Sequence, residues 1–373
     1  MHGRQARIVL RLITVGLAVF VLLTGWSIGH ALTVAGGGNF SQRVAEWARN
    51  HYLGPAVTLG EWLTYSKPKK GGNPGVSFDK LGGRKVHKKK HYHGLAPIVP
   101  ANIGSPAGPP LAGEGVWRVA VSVKGLPAVF KTYVRQSRTY SSYYAGIVSM
   151  DQRLLKFSLR PGTEDPGYGH WGAPMTIPPG QRRGLVATFN SGFRIASSGG
   201  GFYLHGHSVG QLIKGAASEV YFKNGKLLIG RWGSGPLRMG PDVAAVRQNL
   251  RPIVINSHVP KTVDQNVTTA WGATLGGGYN VWRSGVGITR DKRIIFVYGD
   301  ALDVRTLANL LQRAGCVTAM ELDINPDWMS FMYYLAKNHP SDPTPVTLLH
   351  NQVQPADRYY SISNRDFTAV FTR

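Results

Sequence analysis

Residues 12–28 form an almost unbroken apolar run, and extending it to Ala35 gives 24 residues, close to the ~20 that carry a helix across a hydrocarbon core. Val44, Trp47, Ala48, His51 and Tyr52 then recur at helical spacing and predict a short amphipathic helix within 41–66. From Val116 the period shortens to that of strands. Segments 116–123, 128–135, 145–151 and 154–159 are rich in β-formers and separated by turn residues, which predicts a leading meander. Another apolar strand, starting at Gly184, runs straight into the polar turn Asn190-Ser-Gly-Phe193. Two hairpins are expected, 219–229 around Asn224-Gly225 and 285–298 around Asp291-Lys292. Between the second hairpin and an apolar strand at 317–323 lies one convincing helix. Asp303 caps it, Val304, Leu307, Leu310, Leu311 and Ala314 share a face, and Gly315 stops it.

These elements give an α/β class in the mixed α+β sense: a β-rich meander leads into a mixed sheet with a few helices, preceded by one transmembrane helix. The expected organisation is a cytoplasmic tip and membrane anchor at 1–36, a juxtamembrane helix and basic linker at 37–110, a meander subdomain at 111–180 and a final domain at 181–373.

Charge then sorts these regions. The 373 residues hold 43 Lys+Arg against 19 Asp+Glu, a net of +24. Residues 1–95 carry +11 of it, while the other 278 carry +13. Arg4, Arg7 and Arg11 precede the apolar run and no acid occurs before Glu46, so the N-terminus is expected in the cytoplasm and the following domain outside. The length favours an uncleaved signal anchor over a cleaved signal peptide, although Gly29 and Ala31 form a weak cleavage pattern. Residues 67–110 turn to Lys, Gly and Pro, including the run His87-Lys-Lys-Lys-His-Tyr-His93. They read as a mobile tether, with electrostatic attachment to anionic lipid or wall polymer as a sharper alternative. Nucleic acid is not expected as a partner, since no helix-turn-helix, RNP or zinc-finger pattern occurs. The single Cys316 excludes an intramolecular disulfide framework. The sequons at Asn39 and Asn266 matter only in a glycosylating host. Oligomeric state is open.

In so acid-poor a chain, Glu321-Leu-Asp323-Ile-Asn325-Pro-Asp327 stands out. On a strand Glu321 and Asp323 project from one face. If the helix at 303–314 is a crossover between parallel strands, Asp300 emerges with them at the carboxyl edge, where ligands of open sheets bind. His205 and His207, two apart on an expected strand, form a further candidate pair. Trp328, Phe331, Tyr333 and Tyr334 read either as core or as a sugar-stacking platform.

The order of Asn190-Ser-Gly-Phe193, Gly200-Gly-Phe-Tyr203, Lys223-Asn-Gly-Lys226, Arg283-Ser284-Gly-Val-Gly-Ile288, the helix at 303–314 and Leu322-Asp323 resembles the phosphodiester glycosidase family over roughly 180–335. The family's Leu-Asp-Gly-Gly-Gly-Ser motif is matched only at Leu322 and Asp323; Ile324-Asn325-Pro326-Asp327 follows instead. The resemblance implies a hydrolase acting on an envelope glycan or sugar-phosphate substrate. Asp323 and Glu321 would be acid/base candidates, with Asp300 secondary. Asn190, Arg283, Ser284, Asn325, His205 and His207 would bind substrate, Arg283 as a two-pronged phosphate contact. Beside these roles stand plainer ones: Asp323 as a turn cap, Arg283 as a strand charge, Asn190 as a turn-former. No cofactor is expected, and a divalent cation on Asp300, Asp323 and Asp327 is conceivable. A non-catalytic binding module for anionic envelope polymers is the alternative function.

Overall fold

The computed structural model describes residues 2–33, 40–64, 67–84, 95–265, 270–272, 279–337 and 339–373. The His-Lys run and the sequon at Asn266 lie outside them, as does Asn39. Two compact units result, residues 1–65 and 66–373.

The first unit holds α1 (His2–Thr33), α2 (Phe40–Asn50) and α3 (Gly54–Thr64). Within α1, Leu10–Thr33 is long and apolar enough to cross a membrane, and its Leu12, Phe20, Leu22 and Trp26 are exposed. The side chain of Trp47 ties α2 to it, Nε1 donating to Ser27 Oγ at 3.0 Å. Tyr52 turns out of the helix with φ of 64°. The single amphipathic helix expected here is therefore two shorter ones, the second restarting at Gly54-Pro55, where proline suits a first turn.

The second unit runs β1 (Arg118–Val123), β2 (Leu126–Arg135), β3 (Tyr144–Met150), β4 (Leu155–Arg160), β5 (Leu185–Asn190), β6 (Phe202–Leu204), β7 (His207–Val209), β8 (Ala217–Phe222), β9 (Leu227–Arg231), β10 (Val243–Gln248), β11 (Pro252–Ile255), β12 (Val281–Thr289), β13 (Ile294–Leu302), α4 (Val304–Arg313), β14 (Cys316–Glu321), β15 (Phe331–Leu335), β16 (Thr344–Thr347) and β17 (Phe367–Thr372). They form three sheets, ordered β1-β2-β3-β13-β12-β14-β11, β7-β6-β10-β8-β9 and β16-β15-β5-β17-β4.

Two expectations need correction. The meander is not a separate subdomain: β3 pairs with β13 from Ile294↔Met150 to Tyr298↔Gly146, and β4 leaves for the third sheet beside β17. Nor is the linker wholly a tether. Phe78 and Ile103 are buried, Arg84 bridges Val119, and the Lys131 ammonium donates to Leu81 O at 3.0 Å.

The crossover holds in modified form. Both β13 and β14 run antiparallel to β12, hence parallel to each other, but β12 lies between them. As expected, α4 joins them, and the Asp303 carboxylate accepts from the Thr306 N–H at 2.6 Å. The helix packs over Gly285 of β12, and β14 lies close to Gly287. A Cβ at position 285 would lie 3.0 Å from Leu311 Cδ1, and one at position 287 would lie 2.6 Å from Cys316 Sγ and 2.8 Å from Ala319 Cβ. Gly285 thus permits close packing beneath α4, and Gly287 the close approach of β14. Gly287→Ala is expected to cost about 1–3 kcal/mol by overpacking, measurable as a lower urea midpoint.

Candidate active site

The carboxyl ends of β5 and β14 and the start of β17 meet at one place, because Asn190 pairs with Phe367 while Glu321 pairs with Gly285. Asn190 donates through Nδ2 to Ser284 Oγ at 3.0 Å and accepts at Oδ1 from the Ser330 N–H at 3.1 Å. Ser284 Oγ donates onward to the Asp323 carbonyl at 2.8 Å. Asn190, Ser284 and Asp323 are therefore brought together. Asn190 acts as the turn-former of its plainer reading, with its amide spent on the protein.

Asp323 carries two jobs. Its Oδ1 accepts from the Asn325 N–H at 2.9 Å, while Oδ2 faces Arg365 Nη2 at 3.1 Å. Asn325 in turn accepts from the Asp327 N–H at 2.9 Å. The Ile-Asn-Pro-Asp continuation thus makes two successive side-chain-capped turns where a glycine-rich loop would leave backbone open. Residues 324–327 of this turn are partly exposed.

Arg283 departs from its expected role as a phosphate contact. It is 2% exposed and donates to Glu321 Oε1 at 2.5 Å and to the carbonyls of Leu302, Trp271 and Tyr279 at 3.0, 3.2 and 3.3 Å. The guanidinium is consumed in fixing Glu321 and the chain around it.

Five further charged residues, unseen in the sequence, extend the site. Arg365 lies 3.6 Å from Asp165, Arg247 lies 3.7 Å from Asp165, and Arg247 Nε donates to Asp366 at 2.7 Å. Asp323, Arg365, Asp165, Arg247 and Asp366 thus form a ladder of alternating sign, every member buried. Glu219 stands opposite Arg247 across β8 and β10. Asn249 braces the same turn, accepting from the Phe193 N–H at 3.1 Å and donating to the Glu321 carbonyl at 2.9 Å. The available sequence signals were the polar run Ser363-Asn-Arg-Asp366 just before an apolar strand and Arg247-Gln-Asn249 closing another.

The remaining candidates lie apart. Asp300 reaches the same sheet edge, but its carboxylate accepts from Asn351 at 3.0 Å and Gln136 at 3.4 Å. His205 occupies the two-residue turn between β6 and β7 with φ of 48°, whereas His207 opens β7, so they do not project from one strand. Trp328, Phe331, Tyr333 and Tyr334 are buried, and Arg358 lies 5.2 Å over the Trp328 ring. They are packing, not a sugar platform. Among the described residues no group of three or more His, Cys, Asp or Glu is placed to hold a metal ion, so Asp300, Asp323 and Asp327 do not assemble a cation site.

Burial raises four of these carboxyls: Glu219 to about 8, Glu321 to about 7 and Asp300 to about 6, with Asp366 also raised. After burial, Asp366 adds to the shift of Glu219, and Arg283 opposes that of Glu321. Each group binds its proton more tightly folded than unfolded. Its contribution to stability is therefore complete below the unfolded pKa, near pH ~4, and is lost as pH rises through the folded value. The melting temperature is expected to fall between pH 5 and pH 8, and Glu219→Gln to flatten that fall in a thermal series.

A buried ladder that includes Asp323 at the end of a strand, with the Asn190 and Arg283 motifs beside it, fits the resemblance drawn above. Residues 183–341 match the phosphodiester glycosidase family. The match supports a glycosidase-type hydrolase. Among solved structures, the chain is similar to the zebrafish N-acetylglucosamine-1-phosphodiester alpha-N-acetylglucosaminidase catalytic domain, auto-inhibited by its pro-peptide: 13% identity, TM-score 0.40, covering 69% of this chain and 87% of that one. A hypothetical protein from Synechocystis matches at 13% identity and TM-score 0.35, over 69% of this chain and 65% of its own. No curated protein matches the chain. The glycosidase segment contributes Asn190, Glu219, Arg247, Arg283, Glu321 and Asp323. Asp165, Arg365 and Asp366 come from outside it, so the site is completed by flanking chain on both sides.

Proposed function

We propose that this protein is a membrane-anchored hydrolase acting outside the cytoplasm on a glycosyl phosphodiester or related envelope glycan. The observation that carries this is the Asp323 carboxylate, braced by Arg365 and set beside the partly exposed turn 324–327, within a segment that matches a glycosidase family. Glycosidic hydrolysis needs two carboxyl groups in different proton states. Asp323, its charge offset by Arg365, takes the base or nucleophile role. Glu321, held near neutrality by burial at about 7, is the second carboxyl. As the bond from the sugar C1 to the phosphate oxygen breaks, the phosphate leaves as a monoester and water supplies the hydroxyl at C1. The apolar stretch of α1, with Arg4, Arg7 and Arg11 in the helix's N-terminal turns, supports anchoring with the N-terminus inside.

A second reading, a binding module for anionic envelope polymers, is favoured by one feature: the capped turn Ile324-Asn325-Pro326-Asp327 stands where the family motif has a glycine-rich loop. A chromogenic sugar phosphodiester separates the two. The full chain in detergent is expected to release sugar with turnover; saturable binding without release, across a panel of sugars, establishes the module instead.

A further inference from the structure

A cavity of about 990 Å³, lined by none of the ladder residues, lies between edge strand β4 and the second sheet. Its lining includes Lys156, Arg160, Arg183 and Lys223 and contains no Asp or Glu. Arg160 is its most informative residue. Only 7% exposed, it donates to Gln181 Oε1 at 2.9 Å, its Nε has no hydrogen-bond partner, and Phe371 stacks 5.7 Å from the guanidinium. Burial lowers its pKa to about 10 and no carboxylate opposes the shift, so it stays charged at neutral pH with its charge uncompensated by the protein. A buried guanidinium without a counterion is costly, and an anion entering the groove removes that cost through charge-assisted hydrogen bonds.

Spacing decides what kind of anion. Lys156 and Arg160 sit on the same face of β4, four residues apart, a separation of about 13 Å at the rise of a strand. One phosphate does not span that distance; a chain bearing phosphates at intervals does. Tyr203 and Phe371 also line the groove and give the apolar faces of sugar rings something to pack on. We propose that this groove is a docking site for a phosphate-bearing glycan, separate from the acid ladder and independent of whether that ladder turns substrate over.

The test is equilibrium binding of phosphorylated dextran, a monoester the ladder has no phosphodiester to cleave, to the full chain in detergent. Saturable, salt-sensitive binding is expected, with no binding of unmodified dextran and at least tenfold weaker binding of inorganic phosphate. Lys156 and Lys223 are exposed, so K156Q/K223Q folds normally and should weaken binding tenfold or more, as should R160Q if its circular dichroism is unchanged. D323N and a K85Q/K88Q/K89Q/K90Q linker variant should bind as the parent does. The proposal is overturned if K156Q/K223Q binds like the parent, if the linker variant abolishes binding, or if unmodified dextran or a single-stranded oligonucleotide binds as tightly.

Discussion

Asp323→Asn is expected to lower kcat/KM for a glycosyl phosphodiester by about 10³-fold, the middle of the range for removing a general acid or base. The substitution is chosen because it separates chemistry from folding. Asparagine keeps an oxygen to accept the Asn325 N–H, so the first of the two capped turns survives. Arg365 loses one carboxylate but keeps Asp165 at 3.6 Å, which limits the exposure of an uncompensated charge. The result would be a folded, inactive protein, read by initial rates alongside a thermal melt. Asp300→Asn is the matched control: its carboxylate bonds Asn351 and Gln136 rather than the ladder, and activity should be retained. If Asp323→Asn hydrolyses substrate at the parental rate, the carboxylate assignment fails whatever the melt shows.

How much of this was legible beforehand depends on the range of the interaction involved. The cap at Asp303, the Asn224-Gly225 hairpin and the strands at 116–159 are local features, and each forms within a few residues of its expected place. Neighbours along the sheet are another matter. β5 finds β17 some 180 residues later and β3 finds β13 some 150 residues later, and nothing local marks Asp165 and Asp366 before the folded chain brings them to Arg247. Arg283 marks the opposite difficulty. Its motif pointed to a phosphate contact, and only burial reveals that the guanidinium holds Glu321 and three carbonyls. The groove at Arg160 was invisible for the same reason as the ladder: β4 reads as a meander strand, and only its transfer to the edge of the third sheet turns Lys156 and Arg160 towards a cavity.

Arg247→Met should be the most destabilising single change in the molecule. Arg247 is fully buried and donates to Asp366, to the Gln248 carbonyl at 2.8 Å and to the Phe193 carbonyl, with Asp165 3.7 Å away. Methionine fills much of the volume, so the loss is electrostatic: Asp366 and Asp165 remain without their shared cation, and Glu219 loses the charge opposite it. Removing one partner of a buried pair costs about 3–5 kcal/mol, a large share of the 5–15 kcal/mol that holds a typical domain together. The penalty should depend on pH in a defined direction. Burial already raises Asp366 and Glu219, and without Arg247 both bind protons more tightly still. The variant is therefore closest to the parent at pH 5 and falls away from it as pH rises to 8. Urea unfolding at both pH values reads this directly. Adding Asp366→Asn should recover part of the loss at pH 8, because a neutral pair needs no counterion. A uniform loss at both pH values, unrelieved by the second substitution, would mean that Arg247 matters for packing and that the ladder does not act through charge.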